Sequence, residues 1–381
     1  MQIYLALTHD WELRGDGSGD IEEIQFAPLR RLLEIYGKAG ARTTILPDVL
    51  QQITFRGLER EHPELKKIAD AWDLQAQEAM RQGHDVQLHL HSQWSNARYE
   101  NGKWELRGDW SILKYDRQTA ATMISDCKRY LESVLRSVNP QYRSLAFRAS
   151  ALALAPSAHL LTSLASLGIE IDVSMAGGLY LNNDTLQINY RSCEETFLPY
   201  YPQMDDARRV SSRQEPIVCV PLNHFYGSRR LVTRQNVALA RGRFRRAGKA
   251  TAGVTSIPAR LDNQSTGLAR VYEKLIAPAI TRKHFVSDTG RLNYPLMCEM
   301  LASIRRRARE SGLAKVPVVL TNHPKDIRDW AGLERFVGDI TEAEDLKFIT
   351  LSELAEKIRN GEIEVMTALP STTSAPIADT R

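Results

Sequence analysis

Cysteine is scarce in this sequence: four residues of 381 (Cys127, Cys193, Cys219, Cys298), with no CxxC pair and no histidine spaced to complete a zinc finger. A disulfide-built scaffold and a finger-type metal site are thereby excluded, and the four read as core thiols of a reducing compartment. Long apolar runs are missing too. Stretches such as Ala149–Pro156 fall far short of the ~20 residues that cross a bilayer, so no transmembrane segment is expected. The opening MQIYLALTHDWE puts Asp10 and Glu12 where a secretion signal needs an unbroken apolar core, and a cytoplasmic protein is expected. A strong charge of one sign is absent: the net charge is +4, which calls for neither nucleic acid nor anionic membrane as partner. No repeat of fixed period is evident. Hydrophobic residues at 43% and charged residues at 25% rule out wholesale disorder, and the length suits one large α/β domain or two modest ones.

What is present is an alternation of strands and helices. Ile3–Leu7 reads as a buried strand and Phe26–Lys38 as a helix with Leu29, Leu32, Leu33 and Tyr36 on one face, followed by a strand at Thr43–Leu46. Leu65–Arg81 (helix) and Val86–Leu90 (strand) form the next pair, then Arg117–Val138 and Leu145–Arg148, then Ser157–Leu167 and Ile169–Val173. Further on come a strand at Ile217–Leu222, a helix at Pro295–Ser311, a strand at Val316–Thr321 and a last strand–helix pair, Phe348–Thr350 with Leu351–Arg359. Such alternation predicts parallel βαβ units, hence an α/β barrel or a doubly wound sheet.

Two regions break the pattern. Gly177–Arg213 has weak periodicity and suits a long ordered excursion over one face. Gly227–Lys249 holds seven arginines and one lysine without an acid, but only Phe244 could stack on a base, so nucleic acid is not the expected partner. The domain expected is 1–360 with an insertion at about 177–290, and 361–381, which is small and polar from Thr367 on, is expected to be a disordered tail.

Chemistry in parallel α/β folds gathers just past the carboxyl ends of strands. Here those positions carry His9-Asp10-Trp11-Glu12, His89-Leu90-His91, Phe147-Arg148 and Asn322-His323. On an extended strand, residues two apart face the same way about 6.6 Å from one another, so His89 and His91 can converge on one metal ion. A carboxylate from Asp10 or Glu12 would complete the set and leave a place for water. The alternative is that the histidines merely pack or cap a loop, and for Arg148 that it forms a structural ion pair. His9 alternates away from Asp10 and reads as packed, His84 reads as a loop residue before the strand, and His159, His224 and His284 read as structural.

These residues give the chain a resemblance to the NodB-type polysaccharide deacetylases, carbohydrate esterase family 4 in the broad sense, as a divergent branch. LTHDWE (7–12) resembles the family's Thr-x-Asp-Asp, GHDVQLHLHSQW (83–94) its Gly-His-Glu-x-x-x-His, FRAS (147–150) with GIEIDVS (168–174) its arginine motif and Asp-Ser strand, and VVLTNHPKD (318–326) its Leu-x-His. The match spans 1–175 and 295–360. The adjacent aspartates are replaced by Asp10-Trp11, with Glu12 one place on, and the histidine four residues after His89 is replaced by Gln93. The resemblance implies a distorted (β/α) barrel of about seven strands and a divalent metal, zinc first, held by Glu12, His89 and His91. It also implies Asp10 as general base, Arg148 orienting it and His323 as general acid.

The expected reaction is removal of an N-acetyl group from a sugar. The expected substrate is a nucleotide- or lipid-linked intermediate of bacterial surface-polysaccharide (lipopolysaccharide or O-antigen) biosynthesis, with the basic segment meeting a diphosphate or the membrane periphery. Two rival readings are a deformylase or other amide hydrolase on the same scaffold, and an inactive carbohydrate-binding relative.

Overall fold

β1 (Gln2–Trp11) organises the structure, a computed structural model that describes residues 1–246 and 282–368. It is ten residues long and almost wholly buried, because both of its faces are apolar: Ile3, Leu5 and Leu7 point into a core shared with the helices, while Ala6 points into a second, inner core. Along one edge β1 pairs in parallel with β8 (Lys315–Asn322), and along the other with β9 (Leu346–Phe348) over residues 3–5 and with β2 (Thr44–Pro47) over residues 8–11. β3 (Asp85–Val86) completes this five-stranded sheet. A second, four-stranded parallel sheet runs β7–β6–β5–β4 (Val218–Cys219, Ile171–Asp172, Ala146–Ala149, Leu88–Leu90). The two sheets meet through single bridges, Asp48 with His89 on one side and Leu222 with Val319 on the other.

The expected strand over 86–90 is therefore two strands in different sheets, and Gln87 marks the division. Its amide donates to Asp85 Oδ1 and Ser352 Oγ, while its carbonyl oxygen accepts from Leu145 N and Ala146 N at 2.8 Å. The side chain thus serves the first amides of β5 where a neighbouring strand would otherwise do so. The expectation of an α/β fold with parallel strands is met, with two sheets rather than one continuous ladder.

Helices cover the outer face. α1 (Ala27–Lys38) buries Leu29, Leu32, Leu33 and Tyr36, has proline in its first turn and gives way at Gly40, whose φ of +61° suits glycine. α2 (Val49–Leu58) was not among the expected helices. Its period is interrupted by Gln51 and Gln52, which are buried because they bond Gln25 Oε1 and the Ala69 carbonyl. α3 (Pro63–Arg81), α4 (Arg117–Leu135) and α5 (Leu160–Ser166) follow. α6 (Arg229–Arg246) contains most of the basic segment, with Arg229, Arg230 and Arg234 exposed; residues 247–249 of that segment lie outside the described residues. α7 (Tyr294–Glu310) precedes β8. α8 (Trp330–Glu342), also unforeseen, is capped by Asp329, and α9 (Leu351–Arg359) opens on a Thr350–Glu353 capping box.

The expected excursion after residue 177 holds two hairpins, Tyr180–Asn182 with Gln187–Asn189 and Pro202–Gln203 with Asp206–Val210. The expected insertion at 177–290 also contains β7, which belongs to the second sheet, while its residues 247–281 lie outside the described residues. The first part of the expected disordered tail is packed: Ile363 is buried, Met366 N donates to Pro199 O, and Met366 O accepts from Tyr201 N. Backbone pairing and the packing of Ile363 and Val365 against the inner core hold it; residues 369–381 lie outside the described residues. No helix among the described residues is long and apolar enough to cross a membrane.

Asp172, at the end of β6, is buried and accepts from Ser174 N and Oγ at 2.9 and 2.7 Å. Burial pushes its carboxyl up to about 7, the Ser174 bonds only partly opposing this. A folded-state value above the unfolded one favours the fold most at low pH, and that contribution is lost as pH rises through about 7. Asp172→Asn keeps the shape without the charge. Its stability relative to the parent, from denaturant melts, should improve by about 2 kcal/mol between pH 5 and pH 8.

Candidate active site

The period of two along each strand decides which side chains meet. Ala6, Ala146, Val319 and Val173 line the inner core, so Thr8 and Asp10 on β1, Glu12 just past its end, Arg148 on β5 and Thr321 on β8 continue the same inward faces toward the carboxyl ends. Leu88 and Leu90 pack outward in the helix-side core, which turns His89 and His91 inward. An apolar floor thus rises into a polar mouth.

At its base lies Arg148, with no solvent exposure. Nη1 donates to Asp10 Oδ1 at 2.5 Å and to Thr321 Oγ1 at 3.2 Å, Nη2 to Thr8 Oγ1 at 2.7 Å and Nε to Val173 O at 3.3 Å. A buried guanidinium demands this degree of satisfaction. Burial alone would raise the Asp10 carboxyl, but Arg148, with His89 and His323, holds it below its ordinary value.

Above Arg148, Glu12 Oε2 lies 3.2 Å from His89 Nε2 and 3.1 Å from His91 Nε2. Each imidazole is oriented from behind: His89 Nδ1 donates to the Arg148 carbonyl at 2.8 Å, and His91 Nδ1 is 3.2 Å from Asp48 Oδ2. Asp48 is the N-cap of α2, and its Oδ1 also accepts from His91 N at 3.0 Å. Burial lowers the His91 pKa, but Glu12 and Asp48 outweigh it and leave the ring above its ordinary value. The Glu12 carboxyl is held well below its usual range, since His91, Lys325 and the His89 bond overcome its burial.

His323 follows β8. Its Nε2 is 3.7 Å from Asp10 Oδ2 and 3.6 Å from Glu12 Oε1, and its Nδ1 is 3.9 Å from Asp288 Oδ2. Burial opposes its protonation, but Asp288, Glu12 and Asp10 raise its pKa. The six residues singled out from the sequence, Asp10, Glu12, His89, His91, Arg148 and His323, lie around one mouth. His9 does not join them. It is fully buried on the outer side between Asn322 Oδ1 (2.6 Å) and Thr43 Oγ1 (2.7 Å), and burial lowers its pKa to about 4. His84 is also buried, away from the mouth, and is lowered to about 4 by burial.

Three residues of the site were not anticipated. Asp48 stands just past the carboxyl end of β2, where the strand-end rule would have found it had α2 been foreseen. Lys325 lies two residues after His323 and binds Glu12 Oε1 at 2.7 Å. Asp288 sits in the expected insertion and is brought to the mouth by a bridge to Thr321, for which the local sequence offers no signal.

Glu12, His89 and His91 present one donor atom each, all within 4.8 Å of one another. Two ligands of a tetrahedral ion, each at ~2.1 Å, stand about 3.4 Å apart, close to the separations here, and both imidazoles carry the outer hydrogen-bond partner typical of metal ligands. The donor set fits a divalent cation. So does the charge: the carboxylates of Asp10, Glu12 and Asp48 face the fixed cations Arg148 and Lys325, while Asp288 is ion-paired with Arg291 at 3.2 Å, which leaves an excess of one negative charge if all four carboxylates are ionised.

No family model matches the chain, and no curated protein matches it significantly. Solved structures do match. One described as a polysaccharide deacetylase from Mycobacterium smegmatis is 16% identical with a TM-score of 0.48, over 97% of this chain and 94% of that one. The chain resembles polysaccharide deacetylases. Another structure so described, from Pseudomonas aeruginosa PAO1, is 11% identical (TM-score 0.46; 95% and 93% covered), and the Puue allantoinase is likewise 11% identical (0.46; 94% and 90%). Identities this low leave chemistry to be argued from the residues themselves.

Asp48→Asn should retain the cap of α2 while removing the charge behind His91. Zinc titration of the metal-free protein is expected to show affinity weakened by about 10- to 100-fold, with the fold unchanged by circular dichroism.

Proposed function

We propose that the protein is a metal-dependent hydrolase that removes the N-acetyl group of a sugar, built on a distorted (β/α) barrel to which both parallel sheets contribute. The observation that carries this reading is the convergence of the Glu12–His89–His91 donors on one mouth with the Arg148-held carboxylate of Asp10. Glu12, His89 and His91 would hold the ion, and two imidazoles with one carboxylate favour zinc. A divalent ion in such a site makes water acidic near neutral pH and polarises an amide carbonyl.

The chain's own residues account for the proton movements. Arg148 occupies Oδ1 of Asp10 and keeps the carboxylate ionised, so Oδ2 is the atom left to accept a proton from the attacking water. His323, with Nε2 on the same side of the mouth, gives a proton to the leaving amine nitrogen, which departs poorly as an anion. Asp288 and Glu12 favour the charged imidazole that this role requires. The exposed arginines of α6 suit an anionic sugar carrier, a nucleotide diphosphate or a lipid-linked diphosphate of surface-polysaccharide synthesis.

Zinc-loaded protein offered nucleotide-linked N-acetylhexosamines should release acetate. Asp10→Asn should lower kcat by about 10²- to 10⁴-fold with metal content unchanged, and a variant of full activity would remove Asp10 from the base role. Release of formate from N-formyl sugars in place of acetate would transfer the activity to the deformylase class. A wild-type protein without stoichiometric metal would point to a carbohydrate-binding relative.

A further inference from the structure

Lys325 lies within the mouth, yet no step above uses it. Its ammonium donates to Glu12 Oε1 at 2.7 Å and to Leu13 O at 2.5 Å, and the side chain is only 10% exposed. The other oxygen of Glu12 faces both imidazoles, so the two carboxylate oxygens have separate partners: a cation from the turn after β8 on one side, the histidine pair on the other. Lys325 is fixed from behind as well, since it stands in the short helical turn Pro324–Asp326, and Asp326 is ion-paired with Arg291 at 2.9 Å.

A carboxylate can hold a divalent ion through one oxygen or through both. With Oε1 committed to an ammonium and to a fixed direction, Glu12 has Oε2 alone to offer. We infer that Lys325 is a positioning residue that keeps Glu12 a one-oxygen metal ligand and so preserves an open coordination place for the reacting water. The inference rests on the metal-dependent reading of the site. It carries a consequence of unusual sign. Loss of the lysine removes a positive charge beside the ion and frees the second oxygen, so metal binding tightens while the open place is filled. A purely structural role would loosen binding instead.

Full-length wild type, Lys325→Met and Lys325→Arg are each loaded with Co²⁺. The dissociation constant is measured by competition with a chelator, and the visible absorption is recorded, which is strong for four-coordinate cobalt and fades as ligands are added. Lys325→Met should bind about tenfold tighter with weaker bands, and Lys325→Arg, which keeps the cation, should resemble wild type. If Lys325→Met does not fold, Lys325→Gln carries the same expectation, since it can still donate to Leu13 O without the charge. Unchanged affinity and bands in the neutral variant, or looser binding, would overturn the inference while wild-type cobalt binding keeps the metal-dependent reading intact. Absence of cobalt from wild type and variants alike would overturn both.

Discussion

The Arg148–Asp10 pair is the contact on which the arrangement depends. Arg148 stands on one sheet and Asp10 on the other, and the same guanidinium reaches Thr8, Thr321 and the Val173 carbonyl. A charge with no access to water costs several kcal/mol unless paired, and removing one partner of such a pair typically costs about 3–5 kcal/mol. Single bridges, inner-core packing and the Gln87 side chain also join the two sheets, and this cluster ties them together at the height of the candidate site. The backbone of Arg148 contributes too, its carbonyl orienting His89. One residue therefore sets both the charge of Asp10 and the direction of a candidate ligand.

The mouth is organised by pairs of neighbours, each fixing one atom and freeing the other. Arg148 holds Asp10 Oδ1 and leaves Oδ2; Asp48 holds His91 Nδ1 and leaves Nε2; the Arg148 carbonyl does the same for His89; Lys325 holds Glu12 Oε1 and leaves Oε2. This is preorganisation in a literal sense. The groups that face the centre need not reorient when a ligand arrives, because their outer atoms are already spoken for.

Strand faces were the most legible part of the sequence. Asp10, Glu12, His89, His91, Arg148 and His323 could be placed on one rim because period-two alternation and the strand-end rule are local properties. What was not legible depended on distance along the chain. Asp48 was hidden because α2 buries two glutamines, and their partners lie 17 and 26 residues away. Asp288 reaches the mouth only through a bridge to Thr321. The strand over 86–90 looked continuous because the division at Gln87 is made by its side chain bonding Leu145 and Ala146, some sixty residues on. The packing of 361–368 rests on Ile363 and Val365 against the inner core and on backbone bonds to Pro199, Tyr201 and Ser211, distant partners that the local sequence does not reveal.

The strict inward–outward order of β1 also limits how this chain can vary. Deleting one residue ahead of Thr8 would carry His9 to the interior and turn Asp10 toward the helical layer, exchanging a neutral imidazole for a carboxylate in a single event. Drift along this segment is thus confined to exchanges of side chain. Gains and losses of length must be absorbed in the loops, which leaves the spacing from Gln2 to Glu12 an inelastic ruler.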